Sequence, residues 1–436
     1  MELILQNPQL GGEVTAPPSK SMAHRLLVCA ALADRPCHIP LGEPSGDIIA
    51  TLSCLEQLGA SILREENEEA VFSVTPIRKI RKNVVLDCGE SGSTLRFLLP
   101  VSTALGADAA FFMHGRLPNR PLAPILNELE AHGITLSPDG TNPFYASGTL
   151  PPGSFSVCSD QSTQFASGLL LALPHIGRYV PGLLPTDEPG FASLRVTGEL
   201  ARSPYLAMTL SALEIFGLSP TVRDVGEDVM YDIPLGMPFV PPASLTVEGD
   251  WSNAAFWLAA GAIGENSVTV RGLKAKSAQG DKRILSVLEQ FGAMVLQGDS
   301  YAIVRHAPLR GIRLYAAEIP DLVPVIAAVA AVSEGETVIN GIQNLRYKES
   351  DRLSSICLML SSLGADIRAS GNSLRVFGKS MLRGGKIPPS NDHRIVMAAA
   401  IASIRCKEPV IIPDREVVCK SYPTFFTEFE RLEKNR

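Results

Sequence analysis

Two acidic residues keep unusual company along this chain. Glu349 lies inside Lys348-Glu-Ser-Asp-Arg352, and Asp321 follows Ile319-Pro and opens onto a long apolar run. A carboxyl group beside fixed cations is either held ionised or shares a proton with its surroundings, which makes Asp321 and Glu349 the acid–base candidates. Each has a plainer explanation. Asp321 at a helix start serves as an N-cap. A run such as 348–352 is ordinarily a solvated face with local salt bridges. Glu349 and Asp351 also fall just before the amphipathic run 353–363, where carboxylates are favoured, with Arg352 in its first turn and Gly364 closing it. His393 reads equally well as a core histidine bonded to backbone.

The cations argue for more than capping. Ser, Asp and Asn at the predicted helix starts are ordinary N-caps. Capping does not explain Lys20, Arg25, Arg120, Arg352, Arg394 and Lys420, which stand at or near the same starts. A cation there opposes the positive end of the helix dipole, at about 0.3–1 kcal/mol each. An anion joining the site removes the conflict. Helix N-termini with Arg forks and Lys ammonium groups are receptors for phosphate and carboxylate, and this set is large enough for more than one anionic group. Gly89-Glu-Ser-Gly92 lets the backbone approach such a ligand closely. No G-x-x-x-x-G-K-[ST] occurs, since Phe377-Gly-Lys-Ser380 lacks the upstream Gly, and no G-x-G-x-x-G occurs, which argues against ATP and NAD.

The elements that position these residues repeat. An apolar residue, helix formers and then Gly recur at Leu55-Glu-Gln-Leu-Gly59, Leu129-Glu-Ala-His-Gly133, Leu213-Glu-Ile-Phe-Gly217, Leu288-Glu-Gln-Phe-Gly292 and Leu360-Ser-Ser-Leu-Gly364, each Gly predicted to end a helix. A sixth helix, 422–432, closes the chain. Between them run more apolar helices at 21–33, 94–105, 165–173, 253–263, 322–332 and 394–404, apolar on all sides and therefore predicted to be buried. Short strands follow, for example 267–271, 336–340 and 409–412. This is six copies of one unit of two helices and several strands. Pro234-Leu-Gly-Met-Pro-Phe-Val-Pro-Pro242 reads as a linker, with a smaller break at Thr15-Ala-Pro-Pro18. The predicted division is one lobe of residues 18–243 and another of 1–17 plus 244–436, with hinges near 15–18 and 234–243.

Length and composition agree with that division. The chain has 436 residues, too many for one ordinary core, with 45% hydrophobic and 19% charged residues, so it is globular and α/β. A formal net charge of −6 argues against a nucleic-acid or membrane-surface binder. The eight cysteines form no C-x-x-C and no zinc spacing, and reduced core thiols are expected. The start lacks the basic-then-apolar pattern of a secretion signal, and stretches such as 322–332 are too short to span a bilayer, so a cytoplasmic protein is expected.

In order along the chain, Pro18-Ser-Lys-Ser21 with Arg25, the stretch 89–96, Arg120-Pro121, Ser162-Thr-Gln164, Glu248-Gly-Asp250, Gln279-Gly-Asp281, Ile319-Pro-Asp321, Lys348-Glu-Ser-Asp-Arg352, Asn391-Asp-His-Arg394 and Lys420 resemble the 5-enolpyruvylshikimate-3-phosphate synthase family of enolpyruvyl transferases, over nearly the full length. The resemblance implies a two-lobed fold of six βαβαββ units, three per lobe, closing on the substrates. It implies attack of the 5-hydroxyl of shikimate 3-phosphate on C2 of phosphoenolpyruvate with protonation of C3, then loss of phosphate, with no metal or other cofactor and a monomeric protein. It places Lys20, Gly92, Arg120, Gln164, Arg352, Arg394 and Lys420 on phosphoenolpyruvate. It places Lys20, Ser21, Arg25, Ser162, Thr163, Gln164, Asp321 and Lys348 on shikimate 3-phosphate, with Asn344 an addition. It gives Asp321 the hydroxyl proton, Glu349 the proton at C3, and Lys20 an assisting role at the bridging oxygen.

Two positions depart from the family pattern. Glu90 stands where many members carry Asn, and Arg202-Ser-Pro-Tyr205 where many read Ser-x-Pro-Tyr. The sister enzyme, UDP-N-acetylglucosamine enolpyruvyl transferase, typically has Lys-Asn where this chain has Lys20-Ser21, and a Cys in the loop that here reads Gly115-Arg-Leu-Pro-Asn-Arg120. A non-catalytic anion-binding scaffold is the remaining alternative. It predicts that Asp321 and Glu349 are only caps.

Overall fold

The structure is a computed structural model that describes residues 2–65, 70–180, 182–184 and 190–434. The chain divides into two compact units, Lys20–Val247 and Met1–Ser19 with Glu248–Arg436. The divide lies a few residues beyond each predicted break. Among the described residues no helix is long and apolar enough to cross a membrane.

In the first unit three apolar helices, Lys20–Ala31, Gly92–Ala104 and Gln164–Ala172, pack against one another. Each also lies on a sheet of its own. In the second unit Trp251–Ile263, Val323–Ala330 and His393–Ala402 do the same. These are the six helices that the sequence makes apolar on every side, and nearly every residue in them is buried. A helix with no polar face has nowhere else to go.

Four of the sheets share one strand order. Val84–Asp87 pairs in parallel with Ala109–Phe112, which pairs antiparallel with Phe144–Ser147, and that strand carries Thr135–Leu136 on its outer edge. Ser154–Cys158, Phe191–Thr197, Thr221–Val225 and Asp228–Pro234 repeat the order, as do Arg313–Tyr315, Glu336–Asn340, Asp366–Ser370 and Ser373–Phe377. The apolar helix bridges each parallel pair and an amphipathic helix leads on to the hairpin. In the second unit the N-terminal segment completes two sheets. Gly12–Thr15 runs parallel to Val268–Arg271, and Leu3–Leu5 runs antiparallel to Val410–Ile412.

The five glycines that mark the repeat all have left-handed φ, from 78° at Gly217 to 119° at Gly59, so each ends its helix as the spacing predicts. The last helix is displaced from its predicted place and runs Phe425–Lys434. Pro423 disfavours helical backbone at Tyr422, so the helix starts beyond it. Residues 234–242, read as a linker, are tied down. Phe239 is fully buried against His175, and its carbonyl accepts from the Asp34 N–H at 2.9 Å. Proline and glycine there shape the backbone without detaching it.

Helices Gly92–Ala104 and Gln164–Ala172 touch at Gly168. A Cβ there would overlap the Arg96 carbonyl and lie 2.9 Å from Pro100 Cγ. Backbone cannot yield as a side-chain tip can, so Gly168→Ala is expected to lower stability by about 1–3 kcal/mol. Denaturant unfolding with an unchanged midpoint would show that the two helices separate freely.

Candidate active site

The second unit carries the acid–base candidates. Arg352 begins helix Arg352–Ser362, whose N-cap Asp351 accepts from Ser354 N–H at 3.2 Å. Its guanidinium, 1% exposed, meets three carboxylates. Nη1 donates to Asp321 Oδ1 at 2.8 Å, Nη2 to Glu349 Oε2 at 2.5 Å, and Nε to Asp392 Oδ2 at 2.9 Å. Asp321 also accepts from Arg394 Nη2 at 2.9 Å and faces Lys348 Nζ at 3.7 Å. Asp392, fully buried, accepts from the Ser350 hydroxyl at 3.0 Å and caps helix His393–Ala402 through the Arg394 N–H at 3.1 Å.

Asp321 is therefore not the helix cap that the plainer reading makes it. Its helix begins at Val323 with Leu322 in the cap position, while its own carboxylate joins three cations. Burial favours the neutral form of Asp321, but the charges of Arg394, Lys348 and Arg352 outweigh burial and hold the carboxyl well below the usual range. Burial likewise works against the charge on Arg352, and Asp392, Glu349 and Asp321 more than restore it. The run 348–352 is no solvated face, since Glu349 and Arg352 turn inward and only the Arg346–Asp351 pair lies in the open. His393 is buried at the helix start, Asn344 lies in the 3-10 turn Gln343–Tyr347, and Lys420 ends the 3-10 helix Arg415–Lys420, which packs on His393–Ala402.

The first unit carries the other candidates. Lys20 opens helix Lys20–Ala31, and its ammonium group pairs with Asp47 at 2.8 Å, in the first turn of Gly46–Leu58. Ser21 follows it. Gly92 opens its helix with Ser91 as N-cap, and a Cβ on Gly92 would stand 2.7 Å from Arg120 Nη1 and 2.9 Å from Arg96 Nη1. Arg96 Nη1 donates to Gln164 Oε1 at 2.9 Å, and Gln164 Nε2 donates to the Ser93 hydroxyl at 2.8 Å. Gly92, Arg120 and Gln164 thus meet around Arg96. Ser162 and Thr163 precede Gln164, where the Ser162 hydroxyl accepts from the Gln164 N–H at 3.2 Å.

Arg25 is placed differently. Its guanidinium is buried among helices and donates to Thr209 Oγ1 at 2.8 Å, Ser167 Oγ at 3.2 Å, and the carbonyls of Ser21 and Tyr205 at 2.7 and 3.0 Å. Burial brings it down to about 10. Arg202 holds the turn of the hairpin Thr221–Val225 and Asp228–Pro234 through Asp224 at 2.8 Å and the Glu227 carbonyl at 2.5 Å. The Glu90 carboxyl lies against the backbone of Gly115, in the loop that carries Arg120. The residues that sequence reasoning left out of the site are Asp392, Ser350, Arg96 and Asp47. Asp392, Ser350 and Arg96 lay inside quoted motifs. Asp47 carried only the signal of an acidic residue in a helix's first turn.

The architecture is that of the enolpyruvyl transferases. A structure of EPSP synthase from Acinetobacter baumannii superposes with a TM-score of 0.76 at 24% identity, covering 99% of this chain and 97% of that one. The enolpyruvyl transferase NikO from Streptomyces tendae superposes with a TM-score of 0.71 at 17% identity, covering 99% and 96%. Within that class, residues 5–429 match the family EPSP synthase (3-phosphoshikimate 1-carboxyvinyltransferase). The 3-phosphoshikimate 1-carboxyvinyltransferase of Clostridium perfringens (strain SM101 / Type A) is 39% identical over 435 residues, 99% of this chain and 98% of that protein. That of Clostridium novyi (strain NT) is 36% identical over 432 residues, 97% and 95%. The chain belongs to the EPSP synthase family.

Asp392 balances Arg352 and caps a buried helix at once. Asp392→Ala is expected to lower the stability of its unit by about 3–5 kcal/mol, because it strands a buried charge. Asp392→Asn, which keeps an acceptor, should lose less. The check is denaturant unfolding, and equal losses for the two variants would remove the charge from the explanation.

Proposed function

We propose that this protein transfers the enolpyruvyl group of phosphoenolpyruvate to the 5-hydroxyl of shikimate 3-phosphate and releases phosphate. The full-length family match supports the substrates. The observation that carries the mechanism is the single Arg352 guanidinium holding both Asp321 and Glu349 at hydrogen-bond distance. A scaffold with two caps has no use for that arrangement. The sister activity is disfavoured by Ser21 and by a loop 115–120 that has no Cys.

In the proposed reaction Asp321 takes the hydroxyl proton as the oxygen attacks C2, and Glu349 delivers a proton to C3. In the tetrahedral intermediate Glu349 recovers that proton while the C2–O bond to phosphate breaks, with Lys20 assisting the bridging oxygen. Lys20, Gly92, Arg120, Gln164, Arg352, Arg394 and Lys420 serve phosphoenolpyruvate. Lys20, Ser21, Arg25, Ser162, Thr163, Gln164, Asp321 and Lys348 serve shikimate 3-phosphate, with Asn344 beside them. In this reading Arg25 acts through Ser21, whose carbonyl it holds. The protein works as a cytoplasmic monomer, and the chemistry calls on no metal or organic cofactor.

Phosphate release with both substrates tests the assignment. Asp321→Ala should lower kcat by a factor of about 10²–10⁴. The affinity for phosphoenolpyruvate should not fall, because the variant frees three cations for the anion. A near-normal kcat would take Asp321 out of the mechanism. Gly92→Ala should displace Arg120 and raise the KM for phosphoenolpyruvate several-fold while kcat changes less, and an unchanged KM would separate Gly92 from the anion site.

A further inference from the structure

Asp281 is a buried carboxyl group that the proposed reaction does not use. It lies in the 3-10 helix Gly280–Arg283, in a segment clamped onto the start of helix Trp251–Ile263. Gln279 Oε1 accepts from the Trp251 N–H at 3.0 Å, Gln279 Nε2 donates to the Gly249 carbonyl at 2.9 Å, and Ser277 donates to Glu248 at 2.9 Å. One oxygen of Asp281, Oδ2, accepts from the Ser252 hydroxyl. The other, Oδ1, is buried with no hydrogen-bond partner among the described residues. Arg394 Nη1 is likewise buried without one, while Nη2 of the same guanidinium binds Asp321.

The charged groups that act on Asp281 come from three directions: Asp321 ahead of helix Val323–Ala330, Arg394 from helix His393–Ala402, and Asp250 from the cap of Trp251–Ile263. The Trp251–Ile263 helix itself carries no titratable residue. On its own segment, Lys282 binds the Ser277 carbonyl and Arg283 pairs with Glu318, while Glu289 of the following helix is exposed. Burial first, and then the negative charge of Asp321, push Asp281 up to about 7, against the pull of Arg394 and the Ser252 hydrogen bond.

Two carboxyl groups in one buried neighbourhood do not both ionise readily. Asp321 has three cations, so Asp281 is the one that keeps its proton. We propose that Asp281 is a positioning residue for this reaction: as a neutral carboxyl it leaves Arg394 committed to Asp321 and the phosphoenolpyruvate anion, and as an anion it draws that guanidinium away. The inference rests on the roles given above to Asp321 and Arg394.

The test is the pH dependence of kcat/KM for phosphoenolpyruvate in the full-length protein and two variants. In the wild type kcat/KM should fall above neutral pH as Asp281 ionises. Asp281→Asn, which cannot ionise, should fall at least about threefold less between pH 6 and pH 8.5. Ser252→Ala removes a hydrogen bond that favours the anion, so the bend should move to higher pH. A residue that only filled space would leave the bend where it is. Superimposable profiles for all three proteins overturn the proposal, and if Asp281→Asn does not fold, the direction of the Ser252→Ala shift decides alone.

Stability gives a readout independent of turnover. The folded-state value of Asp281 lies above its ordinary 3.8, so the native protein holds a proton that the unfolded chain releases. Its contribution is complete below about pH 4 and is lost as the pH rises through about 7. Wild-type stability should therefore decline relative to Asp281→Asn across that window. A constant difference between the two overturns the proposal, and so does a declining difference with unchanged rate profiles, since Asp281 would then titrate without touching the reaction. Near-normal turnover in Asp321→Ala is a separate result that removes the base and leaves these two measurements to judge Asp281.

Discussion

A guanidinium with almost no access to water needs acceptors for its N–H groups, and Arg352 meets three carboxylates. Asp321, Glu349 and Asp392 come from separate segments and converge on its Nη1, Nη2 and Nε. Desolvating four charged groups costs several kcal/mol per ion, and their attraction returns this only when the geometry is good and the remaining lone pairs are satisfied. Ser350 and the Arg394 N–H satisfy Asp392, and Arg394 and Lys348 satisfy Asp321. Buried ion pairs are often no more stable than apolar residues of the same size. What they provide is placement. Because all the carboxylates refer to one planar fork, Asp321 and Glu349 cannot drift independently, and the start of helix His393–Ala402 is fixed with them.

The first unit solves the same problem with neutral partners. Arg25 is held by hydroxyls and carbonyls. A cation held by neutral oxygens keeps its net charge for a ligand, whereas one matched to carboxylates has surrendered much of it. The units therefore differ in chemistry although they share a strand order. One brings cations around Gly92 and Gln164, and the other gathers Asp321, Glu349 and Asp392 on Arg352. Lys20 differs from Arg25, since Asp47 balances it directly.

The framework was legible because it depends on periodicity. Small apolar residues on every side of 253–263 or 394–404 leave a helix no solvent face, and a Gly after each amphipathic run ends it. The partnerships were not legible. Arg352 finds Asp321 across 31 positions and Arg394 finds Asp321 across 73, separations that no spacing rule reaches. Asp321 looked like a cap because a carboxylate ahead of an apolar run usually is one, and the neighbouring Leu322 took the position instead. Arg25 carried the same signal as Lys20, a cation at a helix start, yet one turn of helix rotates it from the helix opening into the interior. Asp281 was visible only as part of a motif, since burial and a missing partner belong to the fold.

An acceptor of a hydroxyl proton works best when its proton affinity lies near the working pH, and the Asp321 carboxyl lies far below it. The same contacts resolve the conflict. Arg394, Lys348 and Arg352 are the charges that hold Asp321 down, and they are also residues assigned to the substrate anions. A phosphate or carboxylate bound to those cations shares their charge and adds a negative one beside Asp321. Both effects raise the proton affinity of the carboxyl. In the proposed reaction Asp321 would be inert while the cations have only protein carboxylates to satisfy, and would become a base when substrate takes part of their charge. Binding and basicity are then a single electrostatic event. On the proposed reading this is why a site that receives anions would keep so many carboxylates of its own.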